Sequence, residues 1–78
     1  MSIDIIKIHQ FTIEMIKILR EKLKIYKDTW KTIYLDNLIH KLKEQVKEIS
    51  YRNNIKRTKR QLLHIANYCY FIYQRLND

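Results

Sequence analysis

Between residues 33 and 51 the apolar positions Leu35, Leu38, Ile39, Leu42, Val46 and Ile49 recur at helical intervals along one stripe, which predicts a helix over that span. Upstream, Lys7, Gln10, Glu14, Lys17, Glu21, Lys24 and Asp28 repeat every seven residues. Apolar residues including Ile5, Ile8, Phe11, Met15, Ile18, Leu19, Leu23 and Ile25 cover most of the rest, so the pattern predicts a first helix over residues 3–27 that is wet along one narrow strip. Ser2 or Asp4 is available to cap it. A third helix is expected over residues 55–77, with Leu62, Ile65, Ala66, Cys69, Ile72, Tyr73 and Leu76 on its main inward face and Tyr68, Tyr70 and Phe71 widening the apolar surface. The connections fall at residues 28–33, where Thr29 or Thr32 can cap the second helix, and at Asn53-Asn54, the best turn signal in the chain.

The chain contains neither Gly nor Pro, the residues that most often make hairpin turns and break helices, so long helices joined by short polar turns are the natural outcome. The expected fold is all-α: one domain over residues 1–78, a three-helix protomer forming a helical bundle. A domain of this size is marginal alone and a single cysteine permits no intrachain disulfide, so completion by dimerisation is expected, with the subunit interface on the first helix. A homodimer or a dimer of dimers satisfies this equally.

Charge narrows the partners. Sixteen Lys and Arg against eight Asp and Glu leave a net charge of +8, which favours an anionic partner: nucleotide, nucleic acid or an acidic protein surface. No apolar run is long enough to span a membrane, and the first residues lack the pattern of a signal peptide, so a cytoplasmic protein without membrane partners is expected, with Cys69 reduced. Arg52, Lys56, Arg57, Lys59 and Arg60 gather positive charge around the second turn. They read as a solvated helix end or as a phosphate contact. Glu44 and Glu48 lie one turn apart, a spacing at which two carboxylates can grip a hard cation if a second helix supplies more oxygens. Cys69 reads as a small core residue, since no charged neighbour is arranged to activate it. Trp30, the only tryptophan, is expected to pack across the edge of the helices, with stacking on a nucleotide base as the alternative.

The order Trp30-Lys31, then Leu35 to Ile49 ending Leu42-Lys43-Glu44-Gln45-Val46-Lys47-Glu48-Ile49, then Gln61-Leu62-Leu63-His64-Ile65-Ala66-Asn67-Tyr68, resembles the MazG-like family of all-α nucleoside triphosphate pyrophosphohydrolases, particularly its short archaeal and viral forms. The likeness covers residues 23–76. It implies a Mg²⁺ site built from Glu-x-x-Glu on one helix and Glu-x-x-Asp on the next, and cleavage of an NTP or dNTP to the monophosphate and pyrophosphate. Carried over, the four metal positions are Gln45, Glu48, Gln61 and His64, and three of them lack the carboxylate. Glu44 matches the extra Glu before the first ligand. Neutral amides and an imidazole neutralise none of the charge of Mg²⁺, so the resemblance implies a degenerate site and no resident cofactor, with Mg²⁺ required only if activity persists.

Three readings follow. The first is a catalytically lapsed MazG-like protein, kept for binding a nucleotide, a nucleic acid or a protein partner. In the second, an active pyrophosphohydrolase rebuilds its metal site around Glu44 and Glu48. The third is a basic nucleic-acid-binding helical dimer, which rests on the charged turn and the six tyrosines but has no recognisable groove-reading helix.

Overall fold

The computed structural model describes residues 3–27, 29–49 and 54–77. It is all-α, with no strand among the described residues: α1 spans Ile5–Tyr26, α2 is a single turn at Thr29–Thr32, α3 spans Leu35–Lys47 and α4 spans Ile55–Asn77. The short helix α2 was not expected; the region read as a plain turn holds one helical turn of its own.

The helix ends follow local chemistry. Asp4 begins α1, its side chain accepting a hydrogen bond from the Lys7 N–H at 3.1 Å; the other expected cap, Ser2, lies outside the described residues. In the same way the Asn54 side chain accepts from the Arg57 N–H at 3.0 Å and starts α4, while Asn53 lies outside the described residues. Lys27 closes α1 with φ 52°, its N–H donating to the Leu23 carbonyl at 2.9 Å. A chain without glycine must place a residue with a Cβ in this left-handed region. Neither Thr29 nor Thr32 caps α3. Both belong to α2, where the Thr32 hydroxyl donates to the Thr29 carbonyl at 3.1 Å, and α3 begins at Tyr34 with no side-chain cap. The expected second helix is also shorter, ending at Lys47.

Helix α4 is central. Helices α1, α2 and α3 all pack on it, α3 most extensively, whereas α1 and α3 barely touch each other. At one end of the α3–α4 pair, Arg75 donates to the carbonyls of Trp30 and Ile33; at the other, the Gln61 side-chain amide donates to the Glu48 carbonyl at 3.3 Å. These contacts set α3 antiparallel to α4. The buried apolar core among the described residues is small: Ile18 from α1, Leu38 from α3 and Phe71 from α4.

The expected inward face of α4 is corrected. The residues it buries are Gln61, Asn67 and Phe71, while Leu62, Cys69, Tyr73 and Leu76 are exposed. Cys69 is therefore an exposed thiol and not a core residue. On α3 the predicted stripe does face inward, except that Val46 is half exposed. On α1 the inward stripe is covered from Met15 to Leu23, but Ile5, Ile8 and Phe11 at its start are open.

Candidate anion site

Because α1 and α3 do not close on each other, clefts remain between them, floored by α4. One, of ≈ 300 Å³, is lined by Lys22 of α1, Gln45 of α3, Glu48 just beyond its end, and Arg57, Arg60, Gln61 and His64 of α4. The four positions carried over from the resemblance, Gln45, Glu48, Gln61 and His64, thus line one cleft, and three cations line it with them.

The local sequence explains this placement. Gln61 and His64 are one turn apart on α4, on the face turned toward α3, and Arg57 and Arg60 continue that row toward the helix start. Gln45 and Glu48 sit where α3 ends against them. Lys22 interrupts the inward stripe of α1 between Leu19 and Leu23, so its ammonium is drawn into the space between helices. It also stands 5.1 Å from the centre of the Tyr68 ring, a cation–π contact. Lys22 was not singled out from the sequence. A charged residue inside an otherwise apolar stripe was the signal that could have found it.

Electrostatics mark the cleft as cation-rich. Burial holds the Lys22 ammonium below its usual range, reinforced by Arg60 and Lys41. The His64 imidazole is also held below its usual range, first by burial and then by Lys22 and Arg60, with Glu21 opposing. Its Nδ1 is buried without a hydrogen-bond partner. The Arg60 guanidinium reaches Glu21 at 3.3 Å, an exposed pair that offsets only part of this positive field.

A Mg²⁺ ion does not fit these groups. Of the lining residues only Glu48 carries a carboxylate, against three cations, and Mg²⁺ needs anionic oxygens in near-ideal octahedral array. Glu44 does not line the cleft with Glu48; its carboxylate lies 2.9 Å from His40 Nε2 on α3. Among the described residues no group of three or more His, Cys, Asp or Glu gathers as a metal site.

The other expected positions divide. Arg57 and Arg60 line the cleft, Lys56 and Lys59 are exposed and do not, and Arg52 lies outside the described residues. Trp30 stacks on Phe71 with ring centres 4.9 Å apart and planes 20° from parallel, which is the packing role. It also borders a second cleft of ≈ 250 Å³, where Leu38, Tyr68 and Phe71 meet Lys22, Lys27 and Lys41. Lys22 is common to both clefts.

The chain matches no family model, no curated protein and no solved structure. What the cleft can do follows from its own chemistry. Three cationic side chains and two amides provide donors for a compact multivalent anion, with the His64 imidazole beside them, and binding one would relieve the mutual repulsion of the cations. No helix among the described residues is long and apolar enough to cross a membrane.

Proposed function

We propose that this chain is a catalytically lapsed MazG-like protein that binds a phosphate-bearing anion, such as a nucleotide, in the cleft between α1, α3 and α4, without a metal and without cleaving it. The observation that carries the reading is the meeting of Lys22, Arg57 and Arg60 around one cleft with Gln45, Glu48, Gln61 and His64, the four positions where the resemblance expects acids and of which only Glu48 keeps one. A metal-dependent enzyme offers its triphosphate a divalent cation held by carboxylates. Here the protein's own cations take that place, and a guanidinium matches a phosphate edge with two parallel hydrogen bonds. The proposed protein self-associates and works inside the cell.

Calorimetric titration with inorganic pyrophosphate and a panel of NTPs and dNTPs, first with chelator and then with Mg²⁺ or Mn²⁺, tests this reading. Binding in chelator, weakened at least tenfold by Arg60→Ala or Lys22→Ala, is expected, with no pyrophosphate released from any nucleotide. Absence of binding by every phosphate compound contradicts the anion site. Metal-dependent release of pyrophosphate contradicts the lapse and favours the enzyme with a rebuilt site.

A further inference from the structure

Helix α4 carries a second apolar face that the protomer covers only in part, with Ile55, Leu62, Cys69 and Leu76 exposed and Thr58, Ile65 and Ile72 half-buried. Ile55, Leu62, Cys69 and Leu76 occupy every seventh position, and Thr58, Ile65 and Ile72 fall three residues after the first three of them, so the 3–4 spacing of a coiled-coil seam runs unbroken for three heptads. At 100° per residue this seam lies about 140° around the helix from the mean direction of the buried Gln61, Asn67 and Phe71. Ile55 is 70% exposed, Leu62 45% and Leu76 68%, with Tyr73 beside them at 65%.

The protomer is also too open for its mass. It exposes 6820 Å², whereas a folded monomer of 9.7 kDa is expected to expose about 5,100 Å². The excess of about 1,700 Å² is more than the roughly 800 Å² that one partner buries in a standard interface. Its radius of gyration, 13.6 Å, likewise exceeds the value of about 11.5 Å for a compact domain of this length.

We infer that two copies of this chain pair along the outer seam of α4, and that they pair antiparallel. A strict heptad seam takes a second heptad helix, whose side chains fill the holes that its own present. The flanking rows are neutral along the middle of the seam, with Ala66 and Tyr73 on one side and Gln61 and Tyr68 on the other; their charged members, Lys59 and Arg75, lie toward opposite ends of the helix, and Arg75 is engaged with the Trp30 and Ile33 carbonyls. Direction follows from the uneven charge of the helix. Lys56, Arg57, Lys59 and Arg60 crowd the first two turns, and the rest of α4 has only Arg75. A parallel pair sets two such clusters side by side, within about one helix diameter of 10 Å. An antiparallel pair separates them by most of the helix length, about 25–30 Å, well beyond the Debye length of about 8 Å at physiological salt.

This inference does not rest on the anion site, and its test needs no ligand. Sedimentation of the whole chain at micromolar concentration is expected to give a dimer, and Leu62→Glu with Leu76→Glu a helical monomer. Mild oxidation separates the two directions. In a parallel pair the Cys69 side chains meet in one layer and cross-link; in an antiparallel pair Cys69 faces a residue at the other seam position. The wild-type chain is therefore expected to form no covalent dimer, whereas Thr58→Cys or Ile65→Cys, with Cys69 kept, forms one. Cross-linking through Cys69 alone overturns the direction. A monomeric wild-type chain, or a dimer that survives both glutamates, overturns the interface.

Discussion

His64 shows how one residue links the cleft to stability. Burial, Lys22 and Arg60 hold its imidazole pKa below the unfolded value, so the unfolded chain takes up this proton first as pH falls. Its contribution is complete above the unfolded pKa of about 6.5 and is lost as pH falls through the folded pKa. Replacing His64 with Gln should therefore flatten the decline in melting temperature between about pH 7 and pH 5, and an unchanged slope contradicts the assignment. An anion in the cleft reverses the preference and favours the protonated imidazole. Sulfate, which does not itself titrate in this range, should bind more tightly at pH 6 than at pH 8, and the His64→Gln variant should lose that difference. Asn67 is a different case: fully buried, with neither side-chain amide atom hydrogen-bonded within the protein. An unsatisfied buried polar group costs about 1–3 kcal/mol. Chemical denaturation of Asn67→Leu should accordingly show a gain of about that size, and a loss of stability would mean that the amide has a partner.

At the scale of elements, α4 starts against its own electrostatics. The positive end of the helix dipole meets Lys56 and Arg57 in the first turn, with no acidic residue there. Lys56 is exposed and does not line the cleft, so Lys56→Glu should raise stability by about 0.5 kcal/mol while leaving anion binding nearly intact. Loss of binding on that change would place the site at the helix tip and not in the cleft. The Asn54 cap is worth about 1 kcal/mol, and Asn54→Ala should lower stability by that amount in the same denaturation experiment. Much of this element structure was legible. The limits of α4 and most of the α3 stripe follow from periodicity, because a chain without Gly or Pro offers few other ways to turn. The uncapped start of α3 was not legible, since the two threonines that resemble caps are consumed inside α2.

At the scale of the molecule, the largest misreading concerns which side of α4 faces inward. The seam through Leu62, Cys69 and Leu76 is the stronger apolar pattern, and it is the open face; the buried one mixes Gln61, His64 and Asn67 with Phe71. Periodicity reports where apolar surface lies, not which surface covers it. An apolar seam that the protomer leaves largely open is therefore read as its core. The cleft was legible only in part. Gln45, Glu48, Gln61 and His64 came from the resemblance, and Arg57 and Arg60 from charge. Lys22 is far from all of them in sequence, and only the packing of α1 on α4 brings it in.

The central claim is that this cleft has exchanged a metal site for an anion site, and one set of melting curves tests it. The wild-type chain is compared with the triple variant Gln45→Glu, Gln61→Glu, His64→Asp, each melted with sulfate and with Mg²⁺ at millimolar concentration and matched ionic strength. A ligand present at about 100 times its dissociation constant adds about 2.7 kcal/mol to the folded state, a shift easily seen in a domain of this size. The wild-type chain should melt higher with sulfate and be indifferent to Mg²⁺; the triple variant, less stable without metal because its acids repel, should respond to Mg²⁺ and not to sulfate. A wild-type chain indifferent to sulfate, or a folded triple variant indifferent to Mg²⁺, contradicts the account.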